Sequence, residues 1–352
     1  MGATLRQGGR AAMDFMVEIT SASRPLAARW AGELARSGLD AQSLPDDLDA
    51  RDGAVKQALA GSDAFAMHNL VMEFASTEHG RVARDGFDEM ADVLLPRFAE
   101  LEAKGPATLT LHDDFVVPDY YRGVWFHRTT GGWDGHPEMG FVHSELIHKT
   151  YVARNFGGDI FAQRRAVLAK LQRQDYARIL EMGTSSGHFT VALQETFPAA
   201  RITGVELAVP MLKEALRTAN ANGWAWDLHQ RAAEATGFAD ASFDLVASYI
   251  ILHEMPASAI RAVFAEAYRV LEPGGQMLMS DVTPYRMLDK MGEWRADVQA
   301  KKGGEPYWRE AATLDWSQTA REVGFVDVAE GGLDGALYPW VITATKPTAA
   351  RP

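Results

Sequence analysis

The sequence of 352 residues contains no cysteine. Disulfide bonds, thiolate metal sites and a cysteine nucleophile are therefore excluded. No apolar run approaches the roughly 18 residues of a membrane-spanning helix. The first residues, MGATLRQGGRAAMDF, lack the apolar core of a signal peptide, and Arg6 breaks the N-myristoylation pattern. From these absences we expect a cytoplasmic protein that has no membrane as a partner.

Positive charge is also scarce. The chain has 35 Lys and Arg against 47 Asp and Glu, a net charge of −12. Residues 1–172 hold 18 basic and 24 acidic side chains, and residues 173–352 hold 17 and 23, so each half carries −6. Binding to a phosphate backbone needs a basic surplus that neither half has. We therefore expect no nucleic acid as a partner, and a small or cationic partner is favoured over a polyanion.

The length is that of about two domains, and the N-terminal part predicts helices. Residues 1–105 are rich in Ala, Leu, Glu and Arg, and we assign them to a helical N-terminal domain. Within it, segment 86–103 has apolar side chains at three- and four-residue steps, with Pro96 as an expected kink. The acidic stretch 43–53 is predicted to connect two helices.

Residues 106–172 differ from this helical part in composition. They contain five of the ten histidines and the glycine-rich run TTGGWDGHPEMG. This composition predicts a linker or lid that contributes to a substrate pocket, and it is unfavourable for a plain helix. A helix is predicted to resume near Ala162 and to end at about Leu171.

From residue 173 to residue 348, short apolar strands alternate with amphipathic helices, the clearest helix being 257–271. This pattern predicts an α/β domain with a parallel, doubly wound sheet. A further helix is predicted at about 311–322. Two final strands joined by a short loop must pair antiparallel, which is not the plan of the dinucleotide dehydrogenases. The predicted strands lie at 177–182, 201–206, 243–250, 276–282, 324–330 and 340–347.

The stretch ILEMGTSSGHFT places a tight turn between a buried strand and a helix. The strand ends in Glu181, the turn contains Gly183 and Gly187, and the next strand ends in Glu206. Glycine lets the backbone turn sharply and lets a ligand approach closely. A carboxylate at the end of the second strand can accept both ribose hydroxyls of a nucleoside. The acidic first turn suits a cationic or zwitterionic group, such as an amino-acid moiety.

On these residues, the stretch 177–347 resembles a class I S-adenosylmethionine-dependent methyltransferase of the small-molecule type. EMGTSSG matches the family's first motif, with Ser185 in place of the middle glycine, and FDLVASYIILHEMP and LEPGGQMLMSDV resemble its fourth- and fifth-strand motifs. The resemblance implies a Rossmann-like α/β fold, S-adenosyl-L-methionine as cofactor and S-adenosyl-L-homocysteine as product. It also implies that the N-terminal helical domain forms a homodimer or caps the substrate pocket.

The resemblance further implies a set of cofactor-binding residues. The family's adenine-contacting Asp is missing, because Ala232 and Ala233 stand where it would lie. Adenine recognition then falls to the backbone, Gln230 or Glu234. The predicted cofactor-binding residues are Glu181, Gly183, Thr184, Ser185, Gly187, Glu206, Leu207, Glu234 and Ser248.

His253 is the candidate catalytic base. It lies in YIILHEMP, which resembles the Leu-His-Asp/Glu stretch of small-molecule O-methyltransferases whose histidine is the base. A hydroxyl acceptor benefits from a base, whereas a thioether or a tertiary amine needs none. Methylation of oxygen is therefore slightly favoured, and methylation of sulfur or nitrogen without a base stays open. In the alternative reading, His253 only packs beside the cofactor.

Histidines and aromatic residues supply the predicted acceptor pocket. Burial in an interdomain core is an equal alternative for any one aromatic side chain. His143 and His148 are five residues apart, which is not the i, i+4 spacing that puts two metal ligands on one helical face. We therefore predict no metal site. The predicted substrate-binding residues are Tyr120, Tyr121, Trp125, His127, His143, His148, Tyr285 and Arg286.

Three other functions stay open at this point. A regulatory protein that binds S-adenosylmethionine without turnover is mildly favoured by Ser185 and the missing adenine Asp. The intact motif residues argue against it, namely Glu181, Gly183, Gly187 and Glu206. A nicotinamide or flavin enzyme shares the glycine-rich turn. A protein or RNA methyltransferase is disfavoured by the acidic balance, and a pocket closed by residues 106–150 would disfavour it further. Formation of S-adenosylhomocysteine with an acceptor separates turnover from regulation.

Overall fold

The computed structural model describes residues 4–156 and 159–348, so residues 1–3 of the predicted N-terminal domain lie outside the described residues. Five helices make up most of the N-terminal part, as predicted. The predicted helix over 86–103 is interrupted at Glu89 and Met90, and the predicted connection ends at Asp47, whose side chain caps the next helix. The helices are α1 (Gln7–Ala22), α2 (Arg24–Arg36), α3 (Leu48–Ala58), α4 (Asp63–Asp88) and α5 (Ala91–Ala103).

Residues 106–172 contain more regular structure than the sequence predicted. Strand β1 (Thr108–Thr110) joins the edge of the sheet, where it pairs in parallel with a later strand. A helical stretch begins as α6 (Met139–Phe141), continues as a π-helix over Val142–Val152 and ends as α7 (Ala153–Phe156). The prediction against helix was therefore wrong for 139–156. Helix α8 (Ile160–Leu168) corresponds to the helix predicted at 162–171.

An eight-stranded sheet in the order β1-β4-β3-β2-β5-β6-β8-β7 forms the centre of the C-terminal part. The pairs from β1 to β6 are parallel, and α9, α10 and α11 connect successive strands. The predicted Rossmann-like α/β class is confirmed. The elements are β2 (Arg178–Met182), α9 (His188–Thr196), β3 (Arg201–Glu206), α10 (Val209–Asn222), β4 (Asp227–Gln230), β5 (Phe243–Tyr249), α11 (Ala257–Val270) and β6 (Leu271–Asp281).

The terminal strands form the predicted antiparallel pair. Strand β8 (Trp340–Thr345) runs antiparallel both to β6 and to β7 (Val326–Gly332). The helix predicted at 311–322 is two short helices, α13 (Trp308–Thr313) and α14 (Trp316–Val323), because Asp315 caps a new helix with its side chain. Helix α12 (Lys290–Gly303) precedes them.

Apolar cores lie on both faces of the sheet. One contains Val263 and Phe264 of α11 packed with Met277 of β6, and the other contains Leu193 of α9 and Leu212 of α10. Burial of such side chains contributes about 25 cal/mol per Å² of apolar surface. These cores fix the strands whose carboxyl ends carry the candidate site.

The N-terminal helices share a third core with the α/β part. Phe98 of α5 and Phe141 of α6 pack in the same apolar cluster as Met211 of α10. Buried Arg51 of α3 donates to the backbone oxygen of Lys290 (2.9 Å) and to Glu293 of α12 (2.6 Å). Side chains on both sides of the predicted domain boundaries at residues 105 and 172 therefore pack together. Across residues 4–156 and 159–348, no helix is long and apolar enough to cross a membrane.

Candidate active site

A cavity of about 1070 Å³ lies at the carboxyl ends of β2, β3 and β5. This is where parallel α/β sheets present their ligands. The 106–172 segment, which includes α8, and the loop that follows β6 supply other parts of the cavity wall. Eleven of the predicted site residues line it, namely Glu181, Gly183, Thr184, Ser185, Glu206, Leu207, Tyr120, Tyr121, His127, His143 and His148.

The loop after β2 has the tight backbone path that the motif predicted. Gly183 has φ +79°, and a Cβ atom there would lie 2.4 Å from the Ile251 side chain. Ser185, in place of the middle glycine, adopts φ +49° and donates its backbone N–H to Glu206 (3.0 Å). Serine therefore reproduces the left-handed conformation for which glycine is the usual residue.

Glu181 is the second-last residue of β2, beneath this loop, and is fully buried. Its Oε2 accepts a hydrogen bond from Thr190 of α9 (2.5 Å), whereas its Oε1 has no hydrogen-bond partner among the described residues. Burial raises the pKa of Glu181 to about 8, although the Thr190 hydroxyl and Arg164 oppose the shift. A buried carboxylate oxygen without a partner is costly, so a cationic ligand group at the cavity would stabilise it.

Glu206 ends β3 on the other side of the loop. Its carboxylate accepts backbone N–H groups from Ser185, Leu207 (2.8 Å) and Ala208 (2.9 Å). These bonds fix both oxygens at the cavity wall, where their remaining lone pairs can accept hydroxyl protons. Burial raises the pKa of Glu206 to about 7, against the effect of the three backbone donors.

Neither of the two side chains proposed for adenine recognition, Gln230 and Glu234, is among the described residues that line the cavity. Glu234 accepts a hydrogen bond from Tyr120 (2.9 Å) and does not line the cavity in the described structure, and Gln230 donates to the backbone of Leu207 (3.0 Å). Ala233 and Arg231 line the cavity instead. The sequence alternatives Gln230 and Glu234 are therefore engaged by the protein itself.

His253 is 1% exposed and lies behind the cavity wall, so it is not one of the described lining residues. Its Nδ1 bonds to Asp281 at the end of β6 (2.7 Å). Asp281 is held by the backbone N–H groups of Leu252 (2.6 Å) and Val282 (2.7 Å). Burial opposes protonation of His253, but Asp281, Glu305 and Glu254 outweigh it and raise its pKa to about 9.

Between His253 and the cavity lie a histidine and two glutamates. His127 pairs through Nδ1 with Glu305 and through Nε2 with Glu254 (3.3 Å). Glu305 Oε2 faces His253 Nε2 at 3.8 Å. Desolvation opposes protonation of His127, but the two carboxylates hold its pKa well above the usual range. His127 and Glu254 line the cavity, so the cluster connects buried His253 with the ligand space.

The π-helix brings His143 and His148 together. Their ring centroids are 4.2 Å apart, and His148 is 5.3 Å from His188 at the start of α9. The spacing argument that placed the two on different faces was wrong, because it assumed an α-helix, whereas π-helical bonds connect i to i+5. Burial lowers the pKa of His143 to about 3 and that of His148 well below its usual value. These imidazoles form a neutral wall.

Several predicted residues are not brought to the cavity in the described structure. Gly187 packs against Trp226 and Ala215, where a Cβ would come within 3.1 Å and 3.3 Å. Tyr285 faces Asp297 (3.3 Å), and Arg286 pairs with Glu330. Trp125 is 54% exposed. The predicted residues outside the described lining are Gly187, Glu234, Ser248, His253, Trp125, Tyr285 and Arg286.

Other lining residues were not predicted as site residues. Glu254 directly follows His253 in the sequence, and Trp133 and Trp308 are aromatic side chains; all three line the cavity. Arg164 and Tyr338 carried no local signal, because they reach the cavity from α8 and from the loop between β7 and β8. His188 directly follows the glycine motif, and its position at the start of a helix was the available signal. Further lining residues include Gln163, Met211, Thr283 and Gln299.

A methyltransferase-domain family matches residues 179–275, which span β2 to the start of β6. This part of the chain is therefore similar in sequence to a methyltransferase domain. The expectation of a class I S-adenosylmethionine-dependent methyltransferase is confirmed. The match begins at the strand that carries Glu181 and ends in the Pro-Gly-Gly turn, so it includes the loop and both buried carboxylates.

Curated relatives are similar over the same region. The chain is 34% identical over 130 residues to a demethylmenaquinone methyltransferase of Thermus thermophilus. This alignment covers 37% of this chain and 58% of the relative. It is 30% identical over 200 residues to an arsenite methyltransferase of Aquipseudomonas alcaligenes, covering 51% of each chain. The chain thus spans about half the length of the curated relatives it matches.

Among solved structures, the chain is similar to phosphoethanolamine N-methyltransferase 2 of Haemonchus contortus in complex with S-adenosyl-L-methionine. The superposition has a TM-score of 0.43 and 18% identity, and it covers 54% of this chain and 53% of that chain.

Proposed function

We propose that this protein transfers a methyl group from S-adenosylmethionine to a small-molecule acceptor. The observation that carries the proposal is the cavity beside the glycine motif. Glu181 lines this cavity, and its buried Oε1 has no hydrogen-bond partner among the described residues. A cavity of about 1070 Å³ is at the upper end of the range for one ligand of drug size, which is roughly 300–1000 Å³. It therefore has room for a donor and a small acceptor together.

The motif residues fit the cofactor. Glu181 would receive its cationic amino group, Glu206 would accept the ribose hydroxyls, and the φ +79° of Gly183 lets the backbone approach it closely. Thr184 and Ser186 add buried hydroxyls at the loop that have no hydrogen-bond partner in the described residues. When bound, S-adenosylmethionine supplies an electrophilic methyl group on a sulfonium. The protein's part is then to hold the acceptor in line and to exclude water.

The acceptor atom that we favour is oxygen. A hydroxyl must lose its proton during transfer, and the cavity wall offers a group that can take it. This group is made of three side chains. His127 lines the cavity, and Glu305 connects His127 to His253 behind the cavity wall. We propose that His253 acts as base through the other two side chains at alkaline pH, because a pKa of about 9 leaves its imidazole protonated below that value. A sulfur or nitrogen acceptor would need none of them.

Cofactor binding and turnover are tested separately. Isothermal titration with S-adenosylmethionine should show one site in the full chain, and Glu181→Gln should weaken it at least tenfold because the cationic group loses its carboxylate. Glu195→Gln, an exposed change on α9, is the control and should bind normally. Absence of binding by the wild-type chain would overturn the proposal. Binding without S-adenosylhomocysteine formation from any hydroxyl, amine or thioether acceptor screened would favour a regulatory protein.

The base is tested once an acceptor is known. For a hydroxyl acceptor, His253→Ala and His127→Gln should each lower kcat by about 10²–10⁴, with S-adenosylmethionine affinity unchanged. Either variant keeping more than half of wild-type turnover would contradict the assignment of His253 and His127 to proton removal.

We also propose a homodimer through the N-terminal helices. Phe15 of α1 and Met67, Leu70 and Phe74 of α4 are large apolar side chains that are 42–64% exposed, and Phe15 stacks edge-on against Phe74 at 6.3 Å. Light scattering after gel filtration should give twice the chain mass, and Leu70→Glu should give a monomer. Val116→Glu, at a site 75% exposed on the 106–172 segment, is the control. A monomeric wild-type protein would contradict the proposal.

A further inference from the structure

Four side chains at and behind the cavity wall place possible metal-binding atoms close together. Each of His127, His253, Glu254 and Glu305 offers a nitrogen or oxygen atom, and these atoms all lie within 4.8 Å of one another. We propose that these four residues form a binding site for a divalent transition-metal ion. No metal site was predicted from the sequence, because the ligands come from three separate segments of the chain.

The spacing is close to what coordination requires. Ligand atoms about 2.0–2.1 Å from a tetrahedral zinc ion stand roughly 3.3 Å from each other. The separations of 3.3 Å between His127 Nε2 and Glu254 and 3.8 Å between His253 Nε2 and Glu305 are near this value. All the separations are within 4.8 Å, so each has to shorten by at most about 1.5 Å to reach this geometry. His253 Nε2 is free to be the ligand, because Nδ1 is the atom that bonds to Asp281.

The residues behind the ligands have the arrangement of a metal site's outer shell. Metal-binding histidines commonly use their other ring nitrogen on a carboxylate, and ligating carboxylates are themselves hydrogen-bonded. Asp281 performs the first role for His253 (2.7 Å), and Trp133 performs the second by donating Nε1–H to Glu254 (3.0 Å). Glu305 Oε2 is buried and has no hydrogen-bond partner within the described chain, and it points at the same cluster.

The backbone is shaped to bring these segments together. His127 adopts φ +51° and Arg128 φ +55°, a conformation that costs a non-glycine residue on the order of 1 kcal/mol or more. Gly304 lies directly against this turn, and a Cβ there would come within 2.9 Å of the Arg128 backbone nitrogen. This close approach places Glu305, the next residue, beside His127. Strained backbone of this kind clusters at ligand and active sites.

The ligand set selects the class of ion. Two imidazoles favour zinc, iron, cobalt or nickel over magnesium and calcium, which prefer oxygen-only sites. Two carboxylates and two neutral imidazoles balance the charge of a divalent ion, which suits a buried site. His127 and Glu254 also line the cavity, so an ion here would lie where an acceptor oxygen can reach it and would make its hydroxyl more acidic. That role rests on the proposed methyl transfer and would replace the base role of His253 and His127, whose nitrogens would then hold the ion. Metal binding itself rests on neither.

The test uses full-length protein without a polyhistidine tag, stripped with a chelator and dialysed. Zn²⁺ is titrated calorimetrically, and Co²⁺ is followed by its visible absorption, which reports nitrogen and oxygen coordination directly. We expect one equivalent of each ion. Glu305→Gln and His127→Gln should each weaken Zn²⁺ binding at least 100-fold and abolish the Co²⁺ band. His68→Gln, on α4 outside the cluster, is the matched control and should bind like wild type.

Two results would overturn the metal site. One is the absence of stoichiometric Zn²⁺ and Co²⁺ binding by the wild-type chain. The other is binding that either ligand variant weakens less than tenfold while circular dichroism shows both variants folded. Titration of the same stripped protein with S-adenosylmethionine keeps the two proposals apart. Metal binding without cofactor binding would refute the proposed function alone, and cofactor binding without metal binding would refute the metal site alone.

Discussion

At the scale of single residues, the buried carboxylate of Glu181 makes the cofactor-free protein sensitive to pH. Burial raises its pKa from an ordinary 4.5 to about 8. Folding therefore favours the protonated form. Its contribution to stability is fully present below about pH 4.5 and is lost as the pH rises through about 8. The upper limit of this loss is on the order of 5 kcal/mol.

Glu181→Gln should escape this loss, because the amide stays neutral. The free energy of unfolding of the variant relative to wild type should rise between pH 5 and pH 9, as measured by urea denaturation of cofactor-free protein. The exposed Glu195→Gln on α9 serves as control and should give a difference independent of pH. A Glu181→Gln difference that is the same at both pH values would contradict the buried-carboxylate interpretation. The variant that is more stable at high pH is thus the one expected to bind the cofactor less well.

Ser185 provides a second prediction at this scale. Its φ of +49° is the conformation that a glycine adopts without strain, whereas Ser186 has no such φ. Ser185→Gly should leave stability unchanged or raise it by about 1 kcal/mol. Ser186→Gly should lower it by roughly 0.5–1 kcal/mol, because glycine there only adds freedom to the unfolded chain. Thermal unfolding of both variants at one pH compares them, and an equal loss in both would contradict the strain at Ser185.

At the scale of elements, buried Arg217 joins α10 to α5. It donates to Glu102 (2.7 Å through Nε), pairs with Glu138 (2.5 Å) and lies 4.1 Å from the centre of the Phe98 ring. Arg217 is 1% exposed, and its neighbour Glu214 is fully buried. Burial raises the pKa of Glu214 to about 7, although Arg217 opposes the shift.

Arg217→Ala should therefore destabilise the fold by about 3–5 kcal/mol, because it leaves buried carboxylates without their cation. Arg81→Ala is the control. Arg81 also pairs with two carboxylates, Glu78 and Asp85, but on the exposed face of α4, so its loss should cost less than about 1 kcal/mol. Equal destabilisation of the two variants in urea would show that the buried network does not hold α5 against α10.

The same scale shows what the sequence could and could not predict. Except for β4, whose four residues DLHQ form no apolar run, the strands from 177 to 345 were predictable. Apolar runs bounded by turn residues leave few choices of pairing, and a short loop between β7 and β8 allows only an antiparallel pair. The π-helix at 142–152 was not, since His143 and His148 carry no α-helical spacing and an i+5 pattern has no common sequence signal. Strand β1 was missed because three residues are too few to show alternation.

In the candidate site, residues within the contiguous motif were predictable and residues that arrive from elsewhere were not. Glu181 and Glu206 follow from strand ends that must lie side by side in a parallel sheet. Glu305 lies beside His253 only because Gly304 packs closely against the Arg128 backbone nitrogen. His253 was identified from its own sequence context, but its burial behind His127 depends on tertiary packing.

At the scale of the whole molecule, we expect the N-terminal helices and the sheet to unfold as one unit, because their contacts are continuous. Their shared apolar core runs from Phe98 through Phe141 to Met211. The Arg51–Glu293 pair (2.6 Å) ties α3 to α12 at a second place. A core that crosses a predicted domain boundary couples the two sides, because neither can bury its apolar face alone.

Calorimetric scanning should therefore show one transition, and S-adenosylmethionine should move all of it. A ligand at about 100 times its dissociation constant adds about 2.7 kcal/mol to the free energy of unfolding. With an unfolding entropy of about 2.1 cal/mol/K per residue, this corresponds to a rise in Tm of about 4 °C for a chain of 352 residues. Glu181→Gln should show a smaller rise at the same ligand concentration. Two transitions, with the cofactor moving one of them, would mean that the N-terminal helices fold independently of the methyltransferase domain.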